Sequence, residues 1–216
     1  MSSESRIQLE NWLKQQDIHC DRVLDVGGSQ YPMPGRTNSW NVKEYKILDI
    51  EQPHECKQKP DFIFDLNLEG HPLGFLEWEK KYPDREHLAD GGSAYFKMLV
   101  GEKDYDVIFC IEVMEYIYDP MTALSNLYEF LKPGGKLYIS FHFLYPIHKP
   151  VGCDYMRYTE EGVQKLLEVA GFKEIEIMPR VVKNRALVTA FYGSEGMRHR
   201  HDNTVDHAGY MVKAKK

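Results

Sequence analysis

The chain has 216 residues, 43% hydrophobic and 28% charged, which describes one globular domain rather than a disordered or fibrous chain. Its net charge of −6 repels nucleic-acid backbones and anionic lipid and argues against nucleic acid as a partner. No apolar run approaches the ~20 residues of a membrane helix, and the opening Met-Ser-Ser-Glu-Ser-Arg lacks the layout of a signal peptide. The expectation is a cytoplasmic protein with no membrane association. The cysteines, Cys20, Cys56, Cys110 and Cys153, form no CxxC pair, so reduced thiols are expected.

Along the chain, residues 5–16 carry a partial apolar stripe and predict a helix. Arg22-Val-Leu-Asp-Val-Gly27 predicts a buried strand entering a turn, and the prolines at 32 and 34 argue against a helix directly after it. Further strands are expected at 45–50, 61–65 and 105–110. Between the third and fourth strands, residues 71–103 predict no clear element and are taken as an insertion in a single domain spanning 1–216. Asp119-Pro120 opens a helix with a good N-cap and proline at the first helical position, and Pro133-Gly134-Gly135 is expected to stop it. A fifth strand follows at 136–141. Thr159 caps another helix, a sixth strand runs over 173–177, residues 186–192 suit helix or strand, and a last strand covers 209–214.

Strands alternating with helices imply a doubly wound α/β sheet whose ligands bind at the strands' carboxyl ends. That edge gathers Gly27-Gly28, Asp49, Asp65, Glu112 and the segment after Phe141. Each is ambiguous alone. Two glycines serve a ligand or a tight turn equally. Asp49 can accept both hydroxyls of a ribose or be a solvated strand end. Asp65 can accept from an adenine amino group or be a turn residue. Glu112 and Glu115 can face a cationic ligand or start a helix.

The ordered set Asp25-Val-Gly27, Leu48-Asp49-Ile50, Tyr105-Asp-Val-Ile-Phe-Cys-Ile-Glu-Val-Met-Glu115 and Leu131-Lys-Pro-Gly-Gly-Lys-Leu137 resembles that of class I S-adenosylmethionine-dependent methyltransferases, in particular the small type 11 branch. Leu144-Tyr-Pro-Ile-His148 and Asp154-Tyr-Met-Arg-Tyr-Thr159 are similar to a signature in one bacterial subgroup of that branch. The likeness covers about Arg22 to Ile177. It implies a Rossmann-like, mostly parallel seven-stranded sheet with an antiparallel last strand and helices on both faces. It also implies S-adenosylmethionine as cofactor, S-adenosylhomocysteine as product and a small-molecule acceptor, such as a sugar or nucleotide-sugar.

By that resemblance, Gly27 and Gly28 pass under the methionine part, and Asp25 organises the turn. Asp49 holds the ribose, Ile50 lies against adenine, Asp65 and Leu66 sit at its edge, and Cys110 and Ile111 offer backbone to the ammonium. His148 is the first candidate for a general base, then His142, with Tyr145 beside them. Glu112, Tyr116, Asp154, Tyr155 and Arg157 are the expected acceptor residues, Arg157 and Asp154 being equally able to clamp their own loop as an ion pair. The insertion at 71–103 would lid the pocket or build a homodimer contact. The chain departs from the family where Ser29 and Tyr31 replace later glycines and Tyr116 replaces a frequent histidine. The altered glycines keep a non-catalytic cofactor-binding protein as the alternative, and a nicotinamide-dependent oxidoreductase is a third reading. His199 and His201 suit a solvated basic loop, and no metal is expected.

Overall fold

A computed structural model describes residues 3–67, 105–147, 152–183, 185–192 and 204–216. Among these, seven strands form one sheet: β1 (Asp17–Val26), β2 (Ser39–Asp49), β3 (Phe62–Ile63), β4 (Tyr105–Cys110), β5 (Leu131–His142), β6 (Lys173–Val181) and β7 (His207–Lys215). Their order is β3-β2-β1-β4-β5-β7-β6. The pairs β3–β2, β2–β1, β1–β4 and β4–β5 are parallel, while β7 runs antiparallel to both β5 and β6. The chain therefore departs from β1 in both directions, and the crevice between β1 and β4 is the switch point where such sheets bind ligands.

The central strands are apolar on both faces, as a covered parallel sheet requires. On one face Leu24, Val26, Ile108, Leu137 and Ile139 meet α2 (Pro120–Phe130) and α3 (Glu160–Val169) through Leu124, Leu127, Val163 and Leu167. On the other face Val23, Val107, Phe109 and Tyr138 meet α1 (Glu4–Leu13) through Leu9, Trp12 and Leu13. Phe109 stacks on Tyr138 at 5.0 Å between centroids, and Trp12 meets Tyr138 edge-on at 5.9 Å. The helices start where the sequence places their caps: the Asp119 side chain accepts from the Thr122 backbone N–H at 3.1 Å, and Thr159 from that of Gly162 at 3.1 Å.

Several boundaries differ from the sequence reading. β1 and β2 begin at Asp17 and Ser39, earlier than expected: their paired register continues with Ile18, Trp40 and Val42 packed on the α1 side of the core and polar residues such as His19, Asp21, Asn41 and Lys43 exposed between them, which interrupts the apolar run in the sequence. Helix α2 ends at Phe130, before Pro133-Gly134-Gly135, and those residues lie inside β5. There the register slips between the pairs Tyr105–Leu131 and Val107–Lys136, so the Pro-Gly-Gly run absorbs an irregularity of the strand rather than stopping the helix. β6 continues to Val181. Residues 185–192 are the helix α4 (Arg185–Tyr192). The insertion at 71–103 lies outside the described residues, as do His148, His199 and His201. Among the described residues no helix is long and apolar enough to cross a membrane.

Candidate active site

The first wall of the site is the turn after β1. Gly27 sits at φ 75° and donates its N–H to the Leu48 carbonyl at 2.9 Å. A left-handed backbone favours glycine here, and a Cβ would lie 2.4 Å from Val113 Cγ2. Beneath the turn, Asp25 is 1% exposed. Its Oδ2 accepts from the Met33 backbone N–H at 3.0 Å and from the Tyr45 hydroxyl at 2.5 Å. This ties the far end of the turn to β1 and β2. Gly28 lies directly over that carboxylate.

Burial pushes the Asp25 carboxyl up to about 7, only partly offset by the bonds from Tyr45 and Met33. A carboxyl raised in the folded state stabilises below its unfolded value of 3.8, and that contribution is lost as pH rises through 7. Asparagine at this position can still accept both bonds and does not ionise. The unfolding free energy of Asp25→Asn is therefore expected to rise relative to wild type between these pH values, by up to ~1.4 kcal/mol per pH unit. Urea unfolding at pH 4, 5.5, 7 and 8 reads this, and a constant difference would remove the buried acid from the account.

Asp49, at the end of β2, bridges the turn and its own strand end. Its carboxylate accepts from the Ser29 N–H at 3.2 Å and the Ile50 N–H at 2.8 Å. Burial raises its pKa. Gly27, Asp49 and Asp65 border a cavity of about 640 Å³, within the roughly 300–1,000 Å³ of small-molecule sites. Leu48, Ile50, Phe64 and Leu66 give it an apolar side at the β2–β3 end, and Glu112, Val113 and Tyr116 close the β4 end. Asn67 links these ends: its Nδ2 donates to Asp65 Oδ1 at 3.0 Å and its Oδ1 accepts from the Tyr118 N–H at 2.8 Å.

Past β4 the chain turns sharply, with Glu112 in the left-handed region at φ 59°. Such a conformation in a non-glycine residue persists only where its surroundings hold it. The Glu112 N–H donates to Ser140 Oγ at 2.8 Å, and that hydroxyl donates back to Glu112 Oε1 at 3.0 Å. Arg180 Nη1 lies 2.9 Å from Glu112 Oε1. His142 Nε2 lies 3.0 Å from Glu115 Oε1 and 3.4 Å from Glu112 Oε2. Burial opposes the Glu112 charge, but Arg180 and His142 overcome it and hold this carboxyl well below the usual range.

Burial likewise opposes a charge on His142, and Glu112 and Glu115 outweigh it, pushing the imidazole above its ordinary value. On the ring's other side, Arg180 Nη2 lies 3.2 Å from Nδ1. A guanidinium only donates, so in the neutral ring Nδ1 accepts from it and Nε2 donates to Glu115. Carboxylates and guanidinium thus pull the ring's proton count in opposite directions, and both nitrogens are engaged.

Of the residues expected from sequence, Gly27, Asp49, Ile50, Asp65, Leu66, Glu112, Tyr116 and Tyr155 line the cavity. Cys110 and Ile111 are buried at the end of β4, behind that wall. His142 is 1% exposed inside the ion network, with the Tyr145 ring 4.2 Å from its own. Asp154 and Arg157 pair with each other, and Arg157 Nη2 also donates to the Pro146 carbonyl at 3.2 Å, so this pair clamps the loop after β5. Sequence reading missed Arg6, Phe64 and Asn67 on the cavity, Tyr45 beneath the turn and Arg180 behind Glu112. Only Arg180 carried a sequence signal, a cation in a strand-like run, and Met178-Pro179 interrupts that run. All the cysteines are free, and no metal-ligating cluster occurs among the described residues.

The comparisons with known proteins bear on the family and the fold. A family model described as a methyltransferase domain matches residues 20–176. A ubiquinone biosynthesis O-methyltransferase of Pseudomonas savastanoi pv. phaseolicola is 30% identical over 60 residues, 24% of this chain and 26% of that protein. Its counterpart from Coxiella burnetii is 34% identical over 55 residues, 24% of each chain. The match thus spans about a quarter of the length of these curated relatives. An S-adenosylmethionine-dependent methyltransferase structure from Mesorhizobium loti superposes with TM-score 0.56 at 14% identity, covering 100% of this chain and 99% of that one. One from Archaeoglobus fulgidus gives 0.52 at 16% identity, covering 99% and 92%. With the model match covering most of the chain, the chain belongs to the methyltransferase-domain family.

Proposed function

We propose that the protein transfers the methyl group of S-adenosylmethionine to a hydroxyl or amine of a small molecule. The observation that carries this reading is the cavity at the carboxyl ends of β1, β2 and β4. It offers what the cofactor's parts require: a carboxylate, Asp49, for ribose hydroxyls, apolar Leu48, Ile50, Phe64 and Leu66 for the adenine faces, and the close backbone of Gly27. In this reading Asp65, on the cavity border, would accept from the adenine amino group, and the backbone of Cys110 and Ile111 at the end of β4 would receive the ammonium. When bound, the cofactor supplies an electrophilic methyl on a sulfonium.

The protein's share is alignment at about 3–3.5 Å and exclusion of water. Tyr116 and Tyr155 at the β4 end would border the acceptor. The relatives matched over a quarter of their length are O-methyltransferases, which supports oxygen as the acceptor atom. A hydroxyl generally needs a base, and His148, in the Tyr-Pro-Ile-His run, is the proposed one. His142 already engages Glu115 and Arg180 with its two nitrogens and is the second candidate for that role.

The test is methyl transfer from labelled S-adenosylmethionine to separate panels of small phenols, sugars and amines, with RNA and denatured protein as macromolecular comparators. Protein-dependent label in a small molecule is expected. Label entering only a macromolecule would overturn the small-molecule reading. On a hydroxyl acceptor, His148→Ala is expected to lower kcat at least 100-fold.

A further inference from the structure

Arg180 is fully buried, yet it projects from β6, two strands away from Phe141 and His142 on β5 and three from Glu112 after β4. Its path is built into the sheet. In the register, Gly209 of β7 pairs with Arg180 on one side and with His142 on the other. A Cβ on Gly209 would lie 2.9 Å from Arg180 Nη2 and 2.2 Å from the Phe141 carbonyl. The missing side chain is the gap through which the guanidinium crosses β7. Beyond it, Nη2 donates to the Phe141 carbonyl at 3.3 Å and contacts His142 Nδ1, while Nη1 pairs with Glu112.

The charged groups around Glu112 come from separate elements: Arg180 from β6, His142 from β5, Glu115 from the turn after β4, and Arg6 from α1. Glu112 is the one of these carboxylates on the cavity wall. It stands at the β4 end, opposite the apolar Leu48–Leu66 side that suits adenine. A cofactor with its adenosine on the apolar side extends its sulfonium towards the Glu112 end.

We propose that Arg180 is a charge-compensating positioning residue of the cofactor cavity: by reaching over Gly209 it holds the Glu112 carboxylate in place and offsets its charge where the sulfonium lies. The inference rests on the cofactor reading above and concerns how the cavity distinguishes a charged ligand from a neutral one. S-adenosylmethionine carries the sulfonium charge and S-adenosylhomocysteine does not, so their affinity ratio reports the local field. Removing the guanidinium leaves the carboxylates less compensated and favours the charged ligand. Removing the Glu112 charge does the reverse.

The experiment is calorimetric titration of both ligands into wild type, Arg180→Met, Arg180→Lys, Glu112→Gln and the double variant Arg180→Met/Glu112→Gln, from pH 6 to 9.5. Relative to wild type, Arg180→Met should shift the ratio towards S-adenosylmethionine by roughly threefold at high pH. The shift should shrink in the pH range where His142 of the variant, freed from the guanidinium at Nδ1, holds a proton that the wild type's ring does not. Glu112→Gln should shift it the other way, and Arg180→Lys and the double variant should stay near wild type. If Arg180→Met does not fold, Arg180→Gln replaces it, with the same expected shift towards S-adenosylmethionine. A merely structural Arg180 would weaken both ligands equally and leave the ratio unchanged at every pH, which overturns the proposal. A wild type that binds neither ligand overturns the cofactor reading as well.

Discussion

Gly27→Ala is expected to weaken S-adenosylmethionine binding at least tenfold. Two effects add. At φ 75°, alanine pays about 1–2 kcal/mol for a left-handed backbone. Its Cβ would also fall 2.4 Å from Val113 Cγ2, so the turn or the wall after β4 must move. Neither yields freely: Gly27 is bonded to Leu48 across the β1–β2 edge, and Val113 follows Glu112, which Ser140 and Arg180 hold. A displacement of either wall changes the width of the cavity, and ~1.4 kcal/mol of lost contact is already tenfold. Gly35→Ala is the control. Its φ of 85° imposes the same backbone strain, but nothing lies within 4 Å of the added Cβ. Gly35→Ala should therefore lose stability in urea unfolding with its cofactor affinity intact. Equal affinities for the two variants would mean that Gly27 acts through the fold alone.

Asp49→Ala should remove roughly two powers of ten in affinity, for S-adenosylmethionine and S-adenosylhomocysteine alike. Hydrogen bonds to a charged partner contribute about 1.5–3 kcal/mol each, and the ribose offers two hydroxyls to this carboxylate. The loss has a second source. The same carboxylate accepts from the Ser29 and Ile50 N–H groups, so alanine also releases the turn and the strand end that border the ribose. Because both ligands share the ribose, their affinity ratio should not change. This separates Asp49 from Glu112 and Arg180, whose variants are expected to move the ratio. Asp49→Asn keeps one acceptor oxygen and should fall between alanine and wild type. Wild-type affinity in Asp49→Ala, measured by calorimetry, would remove Asp49 from the site.

The residues legible in the sequence are those whose signal is local. Val23–Val26 and Tyr105–Cys110 are apolar but for Asp25 and Asp106, so the strands stand out, and a residue just past such a run sits at the sheet's carboxyl edge. Gly27, Asp49, Asp65 and Glu112 were found this way, and the motif order joined them. The glycine turn shows the limit of matching a motif letter by letter. Ser29 is buried with its N–H on Asp49, and exposed Tyr31 has Lys57 Nζ 3.9 Å from its ring centre. The turn therefore closes without the later glycines of the family pattern.

What was not legible depends on residues brought together by topology. Nothing near His142 in the chain indicates that Glu112, Glu115 and Arg180 surround it; β4, β5 and β6 assemble that network. A histidine near a strand end reads as a free base in one dimension and as an occupied link in three. Arg180 was hidden for a related reason. The alternation of β6 is clear over Lys173–Ile177, and Met178-Pro179 masks its continuation to Val181. The paths of Asn67 and Tyr45 to their partners likewise cross between elements, where sequence spacing carries no information.

The most direct measurement is calorimetric titration of the purified wild-type chain with S-adenosylmethionine and, separately, S-adenosylhomocysteine. The cavity, the Gly27 turn and the Asp49 carboxylate predict saturable one-to-one binding of both ligands at micromolar concentration. Absence of heat for both, from protein shown to be folded, would contradict the account.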